Sequence, residues 1–321
     1  MSLIISTAFH VSYIQPRAFV VMGVLASSDV DDDLLYQILV AFKNTLSGSA
    51  DTDYSTAVEI LRCITKVVPA TPRNGRYLSQ IVWLAIALME YGHVAFFAEA
   101  AALLQASLET LDQQNAFGDQ VLSSFFLEAR GPLEDTAAQI DEFVGLSFES
   151  NFSFTLASIV FRGLRHSQSQ VQQTTTELLR TLLRLSARTA PPAYGVPRAE
   201  RTISPESLGY FLALIPTVPT ISTFHAVLQE AGAGSAWLDN SSRSTDSEDT
   251  GAARIPLQAL GIQENSLALL VATFLGTMLH SATANAEREM LFSLLADMAT
   301  VYPEIISQTQ VSFYCQRSSH S

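Results

Sequence analysis

The sequence has little of what builds a disulfide framework or a thiolate metal site. Only two cysteines, Cys63 and Cys315, occur in 321 residues. Two thiols are too few for either arrangement, so we expect both to be reduced, as is usual in a cytoplasmic protein. Cys63 lies in the apolar segment VEILRCITKVV, which favours a small buried side chain.

Histidines are also few, and they are too scattered to form a metal site. No two are spaced i, i+4, and the chain has no HExxH, CxxC, GxSxG, P-loop or GxGxxG motif. Asp135, Asp141 and Glu142 lie on a predicted helix, where three solvated acids are typical of a surface. The sequence therefore predicts no catalytic, metal-binding or cofactor-binding residue, and no cofactor. The histidines are His10, His93, His166, His225, His280 and His320.

Basic residues are in the minority, since 18 Lys and Arg stand against 31 Asp and Glu, giving a net charge of −13. A nucleic-acid binder needs a basic face to neutralise phosphates. The one modest basic cluster is Arg162, Arg165 and His166. We therefore expect protein partners and no nucleic acid.

Glycine and proline are scarce, and no apolar run is long. With 15 Gly and 12 Pro against 48% apolar residues, long helices are favoured over short strands.

The runs Ile81–Met89 and Leu267–Leu279 fall short of the roughly 20 residues that span a bilayer, so they predict buried core helices. The N-terminus lacks the basic region of a signal peptide. We expect no direct membrane insertion.

Helical spacing recurs through most of the chain, and successive helix pairs start about 35 to 45 residues apart, as in HEAT and armadillo repeats. This predicts an all-α, HEAT/armadillo-like α-solenoid of antiparallel helix pairs, with a compact bundle as the alternative. The predicted organisation is an N-terminal segment at 1–14, the solenoid at 15–188, a loop with short helices at 189–231, a disordered acidic and Ser-rich linker at 232–261, a final helix pair at 262–306 and a tail at 307–321.

Two helix starts carry specific expectations. Gln15-Pro16-Arg17 opens a helix that we expect to be buried on most sides, because Ala18–Ala26 is nearly all apolar. Asp29–Asp33 suits either a calcium or magnesium site or a cap and acidic first turn. The spacing does not fit an EF-hand loop, which favours the cap. The helices predicted after the first are Leu34–Leu46, Tyr54–Val68 capped by Asp53, Tyr77–Tyr91, Val94–Leu111, Gln120–Glu128, Leu133–Phe143 and Val171–Leu185.

The linker contains DNSSRSTDSEDTGAAR, a composition that cannot bury enough apolar area to fold. Its hydroxyl residues are either phosphoacceptors or part of a plain solvated linker, and composition favours the plain linker. These residues are Ser241, Ser242, Ser244, Thr245 and Ser247.

The segment Asp141–His166 combines recurring aromatics with helical spacing. A polar break at Ser147–Ser153 divides it into two predicted helical halves. In the second half one apolar stripe is predicted to face the core, with a polar face opposite. The stripe consists of Phe152, Leu156, Ile159, Val160 and Leu164.

This same segment, DEFVGLSFESNFSFTLASIVFRGLRH, resembles the C-terminal helical-repeat region of the neurofibromin family, in a fungal form. QPRAF near the N-terminus and the segment LALLVATFLGTMLHSATANAEREMLFSLLADMATVYPEI are similar to the family as well. The residues that carry the pattern are Phe143, Val144, Gly145, Leu146, Phe148, Ser150, Asn151, Phe152, Phe154, Arg165 and His166.

The resemblance implies a non-catalytic scaffold or dimerisation arm of a negative regulator of Ras. In that family a separate domain stimulates GTP hydrolysis with an arginine finger and another module binds lipid, and neither is recognisable here. Partners are then other domains of the parent chain, other proteins and a second copy, with Ras reached only indirectly. The implied location is the cytoplasm, peripheral at membranes through the parent. The rival functions are an unrelated adaptor solenoid and a self-contained GTPase-activating enzyme.

The aromatics of Asp141–His166 are expected to form a packed core between repeats. Phe152→Ala should then lower the free energy of unfolding by roughly 3–5 kcal/mol, as for other buried rings. Chemical denaturation of the two proteins measures this. A nearly unchanged stability would instead indicate an exposed binding surface.

Overall fold

A computed structural model of the chain describes residues 14–26, 30–48, 54–73, 75–118, 120–130 and 148–189, together with positions 210, 279, 285, 288, 289, 291 and 292. The chain divides into two compact units. One is Met1–Glu134 with His166–Thr181, and the other is Asp135–Arg165 with Leu182–Ser321.

Every regular element in these described ranges is helical and none is a strand, so the chain is all-α there. The helix bounds agree with the sequence expectations to within a few residues at most ends. They are α1 Ile14–Leu25, α2 Asp32–Gly48, α3 Ser55–Val67 with a 3₁₀ turn Val68–Ala70, α4 Leu78–Tyr91, α5 Val94–Gln113, α6 Leu122–Glu128, α7 Phe148–Leu164 and α8 Ser169–Thr189.

Alternate helices of the first unit pack side by side. α1 packs on α3, and α3 packs in turn on α5, which makes a layer of three helices. α2 packs on α3, and α4 packs on α5. Each of the last two helices of the layer is thus covered by the helix that precedes it in the sequence.

The core of the layer follows from the spacing of apolar residues in α3. Five apolar residues at helical spacing in this helix are all fully buried. The helix ends where Pro69 enters the 3₁₀ turn, because proline lacks the N–H that the next helical bond needs. The five core positions are Ala57, Ile60, Leu61, Ile64 and Val67.

α4 and α5 are joined by two residues, which the chain achieves with a left-handed glycine. Gly92 closes α4 at φ 70°, a conformation that costs glycine little. His93 then starts α5, and its Nδ1 accepts a hydrogen bond from the N–H of Ala95 at 3.2 Å. The link can be this short because it supplies hydrogen-bond partners to backbone groups at both helix ends. The N–H of Gly92 donates to the carbonyl of Met89, and the N–H of Ala95 donates to His93.

The short helix α6 is held on α4 by one indole. Trp83 Nε1 donates to the carbonyl of Phe126 at 3.1 Å. The guanidinium of Arg130 lies 4.8 Å from the centroid of the Trp83 ring, a cation–π distance. Phe117 and Phe125 pack edge to face at 5.1 Å and close the turn before α6.

The expectation that the N-terminal helix is buried on most sides is wrong. α1 buries only Ala18, Phe19, Met22 and Gly23, so it is not buried on most sides. The remaining apolar residues face outward, because α3 covers one side of α1 and no other described helix makes an extensive contact with it.

Two expectations about α7 are also wrong. Residues 148–153 of the predicted polar break are helical, since α7 begins at Phe148 and continues through Leu164. Ser147 lies outside the described residues. Polar residues are common in the first turn of a helix, where N–H groups lack helical partners, so this polar run begins a helix. α7 also has no polar outer face over 155–161, because Thr155 and Ser158 opposite the predicted stripe are as buried as Ile159.

α8 is longer than predicted and amphipathic, as expected. Val171 and the leucines at 178, 179, 182 and 185 are buried, while Gln172, Glu177 and Arg184 face outward. Five of its hydroxyls donate to carbonyls four residues earlier, which satisfies them inside the helix. They belong to Thr174, Thr175, Thr176, Ser186 and Thr189. The predicted cap Asp53, the helix Leu133–Phe143, the linker and the tail lie outside the described residues, as does most of the final helix pair.

The contact between α1 and α3 depends on one glycine. A Cβ at Gly23 would lie 3.3 Å from both Cys63 Cα and Lys66 Cδ. Gly23→Val should therefore lower the free energy of unfolding by about 1–3 kcal/mol through overpacking. Gly48→Val is the matched control, since a Cβ there meets no atom within 4 Å. Equal stabilities of the two variants would contradict this close approach.

Candidate functional site

The most distinctive surface of the described residues is an apolar face on α1. Val20, Val21, Val24 and Leu25 are 40%, 49%, 61% and 69% exposed. Their spacing places all four on one side of the helix, since positions i, i+1, i+4 and i+5 lie together. We call these four residues the outer face of α1.

Both sides of α1 are apolar, and among the described helices α3 packs extensively on the inner side. The inner side, with Phe19 and Met22, is buried next to α3, which approaches closely at Gly23. A surface helix of a globular protein usually carries charged or polar residues on its outer side. The outer face of α1 instead has the composition of an interaction surface.

A charged residue precedes this face on α1. Arg17 is exposed one turn before Val20. A charge at the end of an apolar stripe limits how a second helix can align on it.

The acidic residues at the start of α2 have structural roles. Asp31 Oδ1 accepts a hydrogen bond from the N–H of Leu34 at 2.7 Å, which is the predicted N-cap. Asp32 Oδ1 accepts from the N–H of Arg76 at 3.2 Å and so ties α2 to the segment before α4. In the described ranges no three His, Cys, Asp or Glu side chains are grouped to hold a metal ion. Asp29 lies outside those ranges.

Two histidines also cap helices. His93 accepts from Ala95 as described above, and His166 Nδ1 accepts from the N–H of Gln168 at 3.1 Å, just before α8. The His166 ring stacks on Phe97 of α5, with centroids 6.4 Å apart. The lone pair of a ring nitrogen that accepts a backbone hydrogen bond is not available to bind a ligand.

One ion-pair network links α3 and α5. Arg62 donates to Glu99 Oε1 from Nε at 2.9 Å and from Nη2 at 2.7 Å, and to Glu59 from Nη1 at 2.6 Å. The hydrogen bond to Glu99 raises the pKa of the Arg62 guanidinium above its ordinary value. This network joins two helices of the layer at its surface, where ion pairs contribute little stability but fix alignment.

Cys63 is a free thiol that is 1% exposed, as the sequence indicated. Burial raises the pKa of this thiol from 9.0 to about 12. The nucleophilic thiolate is therefore suppressed, and Cys63 acts as a packing residue.

α5 is, by length and composition alone, apolar enough to cross a membrane, and it is the one such helix in the described ranges. In the structure 56% of its apolar window is buried, with Ala100, Ala101 and Leu104 fully enclosed. The helix packs on α3 and α4, so its apolar character is that of a core helix.

Comparisons with known proteins leave the family open. No protein-family model matches the chain. A crystal structure of an engineered protein aligns over 96% of this chain and 86% of that chain, at 11% sequence identity and a TM-score of 0.25. A TM-score this low supports no argument about a shared fold.

Sequence reasoning missed the outer face, although the signal was present. Ala18–Ala26 was interpreted as a helix surrounded by core because its residues are apolar on every side. Apolar spacing cannot distinguish a helix that is covered within the chain from one that lies at an open end of a layer. Arg165 and His166, which carry part of the family resemblance, lie at the end of α7 and in the turn before α8, away from the outer face in sequence.

Cys63 gives the stability a defined dependence on pH. The folded protein keeps this proton at a pH where the unfolded chain loses it. Ionisation of this thiol therefore leaves the free energy of unfolding unchanged below pH 9 and lowers it as the pH rises from 9 toward 12. Between these values the free energy of unfolding should fall by about 1.4 kcal/mol per pH unit from this thiol.

Urea denaturation at pH 8 to 11 measures that slope, and Cys63→Ala is the control because it removes only this titration. The substituted protein should lose stability with pH more slowly than the native protein. Parallel slopes would contradict the assignment, and so would rapid alkylation of Cys63 in the native state at pH 8.

Proposed function

We propose that the chain is a non-catalytic α-solenoid scaffold, the structural arm of a neurofibromin-like negative regulator of Ras signalling. The observation that carries the proposal is the layer of alternate helices α1, α3 and α5, with α2 and α4 each packed on the helix that follows. Stacked helix pairs of this kind bury a continuous core between neighbours and present extended surfaces to protein partners.

The repeat spacing supports the same reading. α3 begins at Ser55 and α5 at Val94, a separation of about 40 residues, which lies within the range of HEAT and armadillo repeats. Small side chains such as Ala100 and Ala101 at the centre of α5 allow neighbouring helices to approach closely.

The link to Ras regulation comes from the resemblance of Asp141–His166. Phe152, one of the residues that carry the resemblance, is buried, which fits a packing role within an arm. A scaffold needs no convergent reactive groups, and the polar side chains described above are engaged in caps and helix links. The alternative function is that of an adaptor solenoid unrelated to Ras.

A hydrolysis assay tests the non-catalytic part of the proposal. Purified chain added to Ras-GTP should leave phosphate release at the intrinsic rate. An arginine finger must reach the nucleotide, whereas Arg162 and Arg165 are half-buried at the end of α7. A separate Ras GTPase-activating domain serves as the positive control. Acceleration by the chain that is lost in Arg162→Ala or Arg165→Ala would overturn the scaffold reading.

The flanking transcript separates the two scaffold functions. If the chain is an arm of a Ras regulator, a GTPase-activating domain is encoded in the same transcript. A transcript that carries this chain with its own start and stop and no such domain would favour the unrelated adaptor.

A further inference from the structure

Two histidines use the same ring atom in the same way at the start of two helices. His93 Nδ1 accepts the N–H of Ala95 at 3.2 Å in the first turn of α5, and His166 Nδ1 accepts the N–H of Gln168 at 3.1 Å just before α8. Both bonds require a neutral imidazole, because an imidazolium carries hydrogen on both ring nitrogens and can only donate. Histidine is the side chain that ordinarily changes charge between pH 5 and 8, so each bond contains a proton-sensitive atom.

Both rings also contact the first turn of α5. The His93 ring lies 5.6 Å from that of Phe96, and the His166 ring stacks on Phe97 at 6.4 Å, measured between centroids. Phe96 and Phe97 are consecutive and almost fully buried. The two imidazoles are only partly buried, so water can deliver a proton to each. A change of charge at either ring therefore acts on the same helical turn.

The groups in contact with the rings do little to hold a positive charge. Tyr54 and Tyr91 are the titratable side chains in ring contact with His93, at 4.7 and 6.1 Å, and phenols are uncharged over this pH range. In the part of the chain that the structure describes, neither His93 nor His166 is paired with a carboxylate.

Charged residues on the adjoining elements affect the two sites differently. Glu90 of α4 is buried three positions before His93, and a carboxylate there favours the charged ring. Glu99 of α5 is held in the ion pair with α3 described above. Arg165 directly precedes His166, and its charge opposes a proton on that ring. We therefore expect the larger response to acid at His166.

We propose that His93 and His166 form an acid-sensitive latch on the first turn of α5. At neutral pH both rings accept their backbone bonds. As the pH falls below about 6, each ring takes up a proton, loses its bond and places a positive charge near the positive end of a helix. The starts of α5 and α8 then open locally while the contact between α3 and α5 stays packed. The latch is independent of the scaffold function and of any role in Ras signalling.

Hydrogen exchange of the full chain at about pH 7.5 and about pH 5.5, on the two sides of the usual histidine transition, measures this opening. After correction for the intrinsic pH dependence of exchange, peptides that contain Ala95 and Gln168 should lose protection several-fold at the lower pH, as expected for the loss of a helix cap. A peptide of α3 that contains Ile64 should keep its protection. Equal loss in α3 would show general acid unfolding and would overturn the latch.

Asparagine separates the hydrogen bond from the charge, because its side-chain oxygen is a good helix-cap acceptor and does not titrate. In a chain that carries His93→Asn and His166→Asn, protection at both helix starts should no longer differ between the two pH values. The matched control carries His10→Asn and His320→Asn, at two histidines outside the described residues, and should respond as the native chain does. Equal responses of the native chain and the His93→Asn, His166→Asn chain would overturn the proposal.

A titration followed by NMR needs no substitution at all. Imidazole nitrogen shifts report protonation of the two rings, and the amide shifts of Ala95 and Gln168 report the two hydrogen bonds. At each site the ring and the amide should change with a common midpoint. Amide shifts that stay constant while the rings titrate would overturn the latch, and so would rings that take up no proton above about pH 5.

Discussion

The packing of α3 against α5 is the contact on which the first unit depends. α3 also packs on α1 and α2, and α5 also packs on α4, so the contact between α3 and α5 is the one that joins the group α1, α2 and α3 to the pair α4 and α5. Both helices bury apolar side chains completely, among them Ile60 and Ile64 of α3 and Ala100 of α5. Such an interior tolerates little change in volume, because close-packed side chains have few vacant spaces into which neighbours can relax.

Polar groups act around this interface rather than within it. Arg62 bridges Glu59 and Glu99 at its edge, and Gln114 donates to the carbonyl of Thr71 at 2.9 Å where the chain leaves α5. Buried hydroxyls such as that of Ser107 bond to the carbonyl one turn earlier in their own helix. The polar contacts therefore fix the ends and the alignment of helices whose association is apolar.

Much of the local fold was accessible from sequence because its signals are local. The N-cap at Asp31, the proline after α3 and the glycine after α4 each act within one helical turn of the boundary that they set. The error over α7 has a physical cause as well. A run of serine and asparagine is compatible both with a loop and with the first turn of a helix, and only the tertiary environment decides between them. The outer face of α1 depends on what lies against the helix, which the apolar pattern of one segment does not contain.

The indole of Trp83 has a spectroscopic consequence. Its ring is 3% exposed, its Nε1 is bonded to Phe126 of α6, and the Arg130 guanidinium lies over its face. Detachment of α6 alone would remove both partners and admit water, which changes the emission of an indole while the α3–α5 interface stays intact. In a chain whose other tryptophan, Trp237, is replaced by Phe, Trp83 is therefore an optical probe of the short helix, and it separates local fraying of α6 from unfolding of the layer.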